Sequence, residues 1–518
     1  MNLKHALSNW LNALLLSLMI SCGQEQVNTQ RNLFPGELPD PSIIEVAGTF
    51  YLTGSSNDWG PIYPIYLSKD LVNWEFVNYV FPKPPGWTIS SFWAPELFYH
   101  NGKFLCYYTA RRTDGVSCIG LAVSDDPAKG FEDKGQILAW GNEAIDAFVI
   151  KNEGKLYITW KAYGLDQDKP IQLLGSELSK DGYSLVGEPF KMLTAESDNW
   201  ERGGAEGQCI VKNGEYLYML YSGNACCGVN CNYKVGVARA KTIKGPWEKS
   251  AKNPLLESND QWLCPGHGTA IQTNGKWYYV YHAYPPDGFP YLGRTSLIST
   301  IQWNEETGWP YFEINNNLSV EKPTDVDIVD DFDSDQLGKW WKYDIPNYHL
   351  DVETKNSQLI LKETGFDSSN YSGSILAVDP TNSSFTVETS IVNNGQSGKG
   401  LIFYATNKNS LGLGVKGDLL VLWKVEKGSY SELNKMALED SKTYYLKANV
   451  RDAHQIAFQY SIDGNNWGSI PGQNGEEFVK GEQLDWWSWG MKVGLYLKVD
   501  PTTKSNEARF DNFRLGYK

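Results

Sequence analysis

The fold is decided by five related stretches of the chain, of which the last reads HGTAIQTNGKWYYVYHAY (267–284). The other four are DPSIIEVAGTFYLTGSS (40–56), WAPELFYHNGKFLCYYTA (93–110), DAFVIKNEGKLYITWKAY (146–163) and EGQCIVKNGEYLYMLYSG (206–223). Each joins two strand-like runs through a turn glycine, and successive turn glycines are 54, 52, 60 and 61 residues apart. Repeats of this length with short strands are typical of β-propeller blades. The sequence therefore predicts a five-bladed β-propeller over residues 33–312.

The residue eight positions before the turn glycine is an acid or a histidine in four of the five repeats. In chain order these residues are Asp40, Ala94, Asp146, Glu206 and His267. If the aligned strands are the innermost strands of their blades, their first residues meet at one end of the central axis. Three carboxylates and a histidine in one pocket suggest an enzyme that cleaves carbohydrates.

Glycoside hydrolysis uses two carboxyl groups, one that protonates the leaving oxygen and one that activates water or attacks directly. A third acid nearby raises the pKa of the proton donor through like-charge repulsion. Asp40, Asp146 and Glu206 supply such a set. Because Pro41 follows Asp40, we expect an extended backbone at Asp40, which would fix the position of a water-activating base.

The motifs around these residues resemble glycoside hydrolase family 43, in order and over roughly residues 33–312. They are Pro39-Asp40-Pro41-Ser42, Trp93-Ala94-Pro95-Glu96, Ile145-Asp146-Ala147, Ala205-Glu206-Gly207 and Gly266-His267-Gly268. The resemblance implies a five-bladed propeller and inverting, single-displacement hydrolysis. It implies that Asp40 is the general base, Asp146 the acid that adjusts pKa values, and Glu206 the general acid.

The same resemblance implies further site residues. Phe92 and Trp93 match walls of the sugar subsite, and Arg294 matches an arginine that contacts substrate. His267 matches an axial histidine that often lies near a bound calcium or a water cluster, so we expect it either as a metal ligand at a structural calcium site on the propeller axis or as a neutral imidazole that hydrogen-bonds the inner strands. The chemistry itself requires no cofactor. One departure is Gln208, which follows Gly207 where the family often has proline.

Residues 313–328 are polar and turn-prone and are predicted to be a linker. From Val329 the repeat ends, and short alternating strands separated by turns predict a two-sheet β-sandwich, or jelly roll, over residues 329–518. This part resembles the concanavalin-like sandwich of two-domain xylosidases and arabinofuranosidases. Three tryptophans near its end, Trp486, Trp487 and Trp489, are either a sugar platform or sandwich core.

The N-terminus has the pattern of an export signal. A mostly apolar run from Trp10 to Ile20 is too short to span a membrane and ends before Ser21-Cys22, which resembles a bacterial lipobox. We expect residues 1–22 to be a lipoprotein signal peptide, residues 23–32 to be a tether, and the protein to be exported and membrane-anchored, in the periplasm or at the cell surface. The alternative is an ordinary secretory signal with a chance cysteine.

The formal net charge of −15 argues against nucleic acid or anionic lipid as a partner, so the lipid anchor is the only membrane contact that we expect. A neutral carbohydrate fits this charge, and the 14% aromatic content fits both sugar stacking and an all-β core. Of the eight cysteines, Cys226, Cys227 and Cys231 fit no common zinc spacing. We expect a disulfide-stapled loop there, with pairing that the sequence leaves open.

The sequence thus predicts an inverting, exo-acting glycosidase that releases a terminal sugar from plant polysaccharide side chains or oligosaccharides. α-L-Arabinofuranosidase is the first choice and β-xylosidase the alternative, with galactosidase action more distant. A rival of another class is a non-catalytic carbohydrate-binding lipoprotein. The role of Glu96 stays open between binding a sugar hydroxyl and packing. His282 is expected to be structural.

Overall fold

Five antiparallel sheets form the first part of the computed structural model, which describes residues 30–314, 324–499 and 506–517. Blades 1 to 3 contain Ser42–Val46, Thr49–Thr53, Ile62–Ser68 and Trp74–Phe81; Thr88–His100, Lys103–Arg112, Ser117–Ser124 and Glu132–Leu138; and Ala144–Asn152, Lys155–Ala162, Gln172–Leu178 and Phe190–Thr194. Blade 4 contains Glu206–Asn213, Tyr216–Gly223, Lys234–Ala240 and Glu248–Lys249, and blade 5 contains Leu263–Thr273, Lys276–Tyr284, Thr295–Trp303, Pro310–Phe312 and Arg31–Asn32. The predicted five-bladed propeller is confirmed.

The repeats quoted above form the first hairpin of each blade. Their first strands contact one another around the ring, so they are the innermost strands, as predicted. In blade 5 the hairpin turns at Asn274-Gly275, where φ is 51° and 74°. Positive φ at both central residues is the type I′ geometry, whose twist matches that of the flanking strands.

The N-terminal strand closes the ring by joining blade 5. Arg31 pairs with Ile298 and Asn32 with Leu297, and the side chain of Gln30 is buried and donates to Tyr281 Oη at 2.8 Å. The predicted tether of residues 23–32 is therefore too long at its end, because its last three residues belong to the propeller. The predicted signal peptide and Cys22 lie outside the described residues. Among the described residues, no helix has the length and apolar character needed to cross a membrane.

The second part is the predicted β-sandwich. One sheet contains Leu350–Thr354, Leu359–Glu363, Glu507–Tyr517, Phe385–Val392, Thr443–Arg451, Gln455–Ser461, Gly468–Ile470, Ile328–Asp330 and Val479–Lys480. The other sheet, called the outer sheet below, contains Ser374–Val378, Lys492–Lys498, Gly398–Thr406, Asn409–Lys416, Leu419–Glu426 and Ser429–Ala437. Side chains such as Leu401, Phe403 and Phe458 fill the core between them. Short 3₁₀ helices lie at Pro127–Lys129, Ile345–Asn347, Gln473–Gly475 and Glu482–Leu484.

The propeller and the sandwich pack directly against each other. Trp59–Gly60 of the propeller pairs antiparallel with Tyr343–Asp344. A buried ion pair joins Lys492 Nζ of the sandwich to Glu37 Oε2 of the propeller at 2.7 Å. The sandwich thereby reaches the end of the propeller at which the axial acids lie.

Candidate active site

The inner strands present their first residues to the axis through an irregular backbone. Pairing shifts register between Ile145 and Phe148 around Asp146, directly after Glu206, and between Gly266 and Gly268 around His267, which marks β-bulges. The backbone is left-handed at Asp40 (φ 53°), Ala94 (39°), Asp146 (59°) and His267 (41°), and in blade 4 at Gly207 (59°). Bulges re-aim side chains next to active sites, and strained φ values concentrate there. The extended backbone expected at Asp40 is wrong, because its φ is positive.

Asp40 is held as a carboxylate. Ser55 Oγ donates to Asp40 Oδ2 at 2.6 Å, and Arg294 Nη1 donates to Oδ1 at 3.2 Å. Burial alone would raise the pKa of Asp40, but the charges of Arg294 and His267 outweigh it and hold the pKa well below its usual value. Burial also lowers the pKa of His282 to about 4, so this histidine is a neutral support, in line with the structural role expected for it.

His267 lies between two of the predicted acids. Its Nδ1 is 3.4 Å from Asp40 Oδ1 and 3.9 Å from Asp146 Oδ2. Asp146 Oδ2 also accepts from the backbone N–H of Gly207 at 3.2 Å, which places Asp146 beside Glu206. Burial raises the pKa of Asp146 to about 7, with a further rise from Glu206 and an opposing effect of His267. The residues that share one position in the repeats therefore lie close together, as predicted from their spacing.

Glu206 has a different environment. Lys161 Nζ donates to Glu206 Oε2 at 2.7 Å, and Tyr233 Oη donates to Oε1 at 2.8 Å. Burial would raise the pKa of Glu206, but Lys161 and Tyr233 lower it below its usual value. The carboxyl of Asp146 therefore holds a proton more readily than that of Glu206. The raised pKa expected for Glu206 is not seen, because the charge of Lys161 and its hydrogen bond lower it.

The two aromatic residues predicted as subsite walls have different positions. Phe92 is completely buried and packs 6.3 Å from the ring of Tyr63, so its side chain has no surface that a sugar can reach. Trp93 is half-buried and lies 6.1 Å from the ring of Trp487 in an edge-to-face contact. Trp487 comes from the sandwich and is 49% exposed. Burial thus rules out Phe92 as a subsite wall, whereas Trp93 stays a candidate and has Trp487 of the sandwich beside it.

The other two tryptophans of that segment are packed at the junction of the two parts. Trp489 is 8% exposed, and Trp486 is partly buried against the same cluster. The segment also contacts the partner of Asp40, because the backbone carbonyl of Ser488 accepts from Arg294 Nη2 at 3.0 Å. Arg294, predicted to contact substrate, is only 4% exposed and is engaged by Asp40 and Ser488. Its side-chain contact with the predicted acids is the hydrogen bond to Asp40.

The residues around His267 do not form a calcium shell. Calcium takes six to eight oxygen ligands, whereas His267 offers nitrogen, and Asp40 already accepts from Arg294 and Ser55. In the described ranges, no group of three or more His, Cys, Asp or Glu side chains is arranged to hold a metal ion. No chemical step is therefore assigned to a metal.

Sequence reasoning missed Lys161 and Tyr233, the partners of Glu206. Lys161 had a signal, because it interrupts the apolar run that follows Lys155 in the strand Lys155–Ala162. Tyr233 had none, because it lies at the end of the cysteine-rich loop of residues 224–233. That loop is stapled, as predicted, by a disulfide between Cys231 and Cys264. A second disulfide joins the neighbours Cys226 and Cys227, which the sequence did not reveal.

The contacts of Glu96 decide between the two roles predicted for it. It is 5% exposed and accepts from Ser42 Oγ of blade 1 at 2.7 Å. Burial raises its pKa to about 8, so it is neutral near pH 7 and joins two blades. The packing alternative is the one that the structure supports.

Comparison with known proteins places this geometry in context. The family model for glycosyl hydrolases family 43 matches residues 30–310, and the model for the beta xylosidase C-terminal concanavalin A-like domain matches residues 329–516. A xylan 1,3-beta-xylosidase from a Vibrio species is 25% identical, over 93% of this chain and 98% of that protein. An extracellular exo-alpha-(1->5)-L-arabinofuranosidase from Cellvibrio japonicus is 27% identical, over 59% of this chain and 93% of that protein.

A solved structure has the same two-part architecture. The xylan beta-1,4-xylosidase from Bacillus halodurans aligns with a TM-score of 0.79 at 23% identity, over 94% of this chain and 100% of that one. At this identity the likeness concerns the fold alone, and it confirms the propeller followed by the sandwich.

Proposed function

Because this chain belongs to glycosyl hydrolases family 43, we propose that it is an inverting, exo-acting glycosidase that releases a terminal pentose from plant polysaccharide side chains or oligosaccharides. The observation that carries this proposal is the cluster of Asp40, Asp146 and Glu206 around His267. Asp40 accepts from an arginine on one side of the cluster, and Glu206 accepts from a lysine on the other. Binding alone does not need such a cluster, so a non-catalytic binding protein fits it less well.

Asp40 is the general base. Its pKa is held well below the usual value by Arg294 and His267, so the group is ready to accept a proton at neutral pH. In a single displacement it takes a proton from water while that water attacks the anomeric carbon. Arg294 and Ser55 orient the carboxylate by donating to one oxygen each, so lone pairs remain that can accept from the water.

Glu206 is the general acid, and Asp146 is the neighbouring carboxyl with which it shares a proton. The side chain of Glu206 is 19% exposed against 6% for Asp146, so Glu206 is the member of the pair that a leaving group can reach. Donation requires that the proton shared by the two carboxyls be on Glu206 when the glycosidic oxygen arrives. The ion pair with Lys161 opposes protonation of Glu206, so Lys161 sets how readily Glu206 carries the proton.

For the sugar, we favour β-D-xylose at the cleaved end and keep α-L-arabinofuranose as the second candidate. A relative that matches along almost the whole chain is named a xylosidase, and the family that matches the sandwich is named for beta xylosidase. The arabinofuranosidase relative matches 59% of the chain, so its similarity supports the second candidate over a shorter stretch. This order reverses the sequence-based preference.

The proposal is tested by measuring hydrolysis of 4-nitrophenyl β-D-xylopyranoside and 4-nitrophenyl α-L-arabinofuranoside side by side, with Asp40→Asn as control. Activity on one substrate that is lost in the control supports the glycosidase and selects the sugar. The anomer released first, observed by proton NMR before mutarotation, tests inversion. If a retained anomer appears first, the single-displacement mechanism is wrong. If neither substrate is cleaved while the sugars still bind, the non-catalytic alternative is favoured.

A further inference from the structure

A second cavity, of about 300 Å³, lies in the sandwich on the face of the outer sheet that points away from the sandwich core. We call it the sandwich pocket and define it by Tyr371, Trp423, Tyr430, Glu432, Tyr496 and Lys498. Every residue that lines it belongs to the sandwich, so it is separate from the catalytic cluster. Its volume lies at the lower end of the range of about 300–1,000 Å³ that small-molecule sites occupy.

The floor of the pocket is made by two rings that lie across glycines. A side chain on Gly412 would place its Cβ 2.4 Å from the ring of Trp423, and one on Gly414 would come within 2.1 Å of Tyr496 Oη. Trp423 Nε1 donates to Tyr496 Oη at 3.0 Å and fixes the pair. The absence of Cβ atoms at these two positions therefore leaves room for a flat aromatic surface above the sheet.

The aromatic surface continues from the floor to the mouth. The ring of Tyr430 stacks on Trp423 at 6.0 Å, and the ring of Tyr371 stacks on Tyr430 at 6.0 Å. Trp423 is 3% exposed, whereas Tyr430 and Tyr371 are 37% and 40% exposed. A buried floor with two exposed rings at the mouth offers stacking surface to a flat, partly apolar ligand, and the phenol groups add hydrogen bonds.

Polar groups of both kinds face the same space. Lys498 Nζ lies 4.6 Å from the ring of Tyr430 and 5.1 Å from that of Tyr371, and within the described ranges it has no carboxylate partner. Burial lowers the pKa of Lys498 to about 8, with a further lowering from Lys416. Glu363 and Glu432 also line the pocket, and burial raises the pKa of Glu363 to about 7. The pocket thus combines donors and acceptors without an excess of positive charge.

We propose that the sandwich pocket binds a neutral sugar ring of an oligosaccharide or polysaccharide, stacked on Tyr430 and Tyr371 and hydrogen-bonded by Lys498 and Glu432. A sugar ring has apolar C–H faces and hydroxyl groups that both donate and accept, which matches flat rings bordered by an ammonium and a carboxylate. The net charge of −15 disfavours nucleobases carried on phosphate chains. The choice of sugars to test depends on the proposed function, but the pocket itself does not.

The test is calorimetric titration of the full chain carrying Glu206→Gln, so that sugar is not consumed, with xylohexaose and with α-1,5-arabinohexaose as probes. We expect two binding events for at least one probe, and adding Tyr430→Ala should remove the event outside the catalytic cluster or weaken it at least about tenfold. Trp340→Ala is the matched control, since this aromatic of the same domain is 37% exposed and does not line the pocket. It should leave both events unchanged.

A single binding event, or two events that Tyr430→Ala leaves intact, would overturn the proposal. Preferred binding of a galacturonate hexamer would overturn the assignment to a neutral sugar. Lys498→Met is a second variant, expected to weaken the same event if Tyr430→Ala proves unstable. Hydrolysis of aryl glycosides by the otherwise unmodified chain carrying Tyr430→Ala should equal that of the parent, because such small substrates occupy only the catalytic cluster. Failure of the pocket is thereby separated from failure of the proposed enzyme activity.

Discussion

Asp40 and Glu206 occupy the same repeat position in blades 1 and 4, yet their surroundings differ in kind. The carboxylate of Asp40 accepts from Arg294 and Ser55, the backbone N–H of Asp40 donates to His282 Nδ1 of blade 5, and the pKa of Asp40 is held low. Glu206 is held by a lysine and by a tyrosine from a disulfide-stapled loop. A repeat can therefore place equivalent carboxyls while the residues in contact with each carboxyl, which differ from blade to blade, decide its pKa.

The largest effect is expected at the base. Asp40→Asn removes the group that accepts the proton of water, so kcat/KM should fall about 10⁴-fold, at the upper end of what general bases contribute. The loss should be similar for substrates with good and poor leaving groups, because base catalysis concerns the attacking water. Steady-state rates with a series of aryl glycosides measure this. Asp125→Asn, with a side chain 80% exposed, is the control and should keep full activity.

The acid should differ from the base in its dependence on the leaving group. Glu206→Gln removes the proton donor, so hydrolysis of oligosaccharides should fall about 10³-fold, whereas dinitrophenyl glycosides, which need little protonation, should lose far less. The same substrate series as for Asp40 decides it. Glu257→Gln, on the same blade and 62% exposed, should behave as the parent. Equal losses across the series would contradict the assignment of Glu206 as the acid.

A change at Lys161 should affect the pH dependence of the acid and leave that of the base unchanged. Its charge lowers the pKa of both Glu206 and Asp146, so Lys161→Met should raise both. Because the acid must be protonated, the alkaline limb of kcat/KM should move to higher pH, by about 1–3 units, while the acidic limb set by Asp40 stays in place. A limb that moves to lower pH would contradict this sign. Lys155→Met, at the far end of the same strand and 56% exposed, is the control.

The axial positions could be predicted because each one lies at a fixed distance from a turn glycine, and a strand hairpin converts that distance into a place on the axis. Lys161 and Tyr233 could not be placed the same way. The direction of Lys161 depends on the bulge in the strand beside it, where pairing shifts between Ile145 and Phe148. The position of Tyr233 depends on a loop whose disulfide pairing the sequence leaves open.

The contribution of the second domain was equally hidden. Trp486, Trp487 and Trp489 are identical in type and almost adjacent, and only the docking of the sandwich decides that Trp487 faces Trp93 while Trp489 is buried. Phe92 shows the same limit in reverse. Its neighbour Trp93 contacts Trp487 of the sandwich, but the side chain of Phe92 lies in the core between blades 1 and 2.

The smallest effect is expected from Tyr233→Phe, and it tests whether the acid and the base are electrostatically separate. The ring of Tyr233 stacks on His282 at 5.7 Å, and a Cβ on Gly266 would come within 2.0 Å of it, so phenylalanine should keep the packing and lose only the hydrogen bond to Glu206. That bond lowers the pKa of Glu206 less than Lys161 does. The alkaline limb should therefore move upward by less than in Lys161→Met, and kcat/KM at its optimum should fall less than about tenfold, in keeping with the loss of one hydrogen bond of about 0.5–1.5 kcal/mol. The pH–rate profiles of the two variants measure both shifts.

The acidic limb of the same profiles tests the electrostatic independence of the acid and the base. His282 stacks on Tyr233 and accepts from the backbone N–H of Asp40. If the acidic limb moves in Tyr233→Phe, the stacked pair transmits changes from the acid to the base, and the two groups are not electrostatically independent.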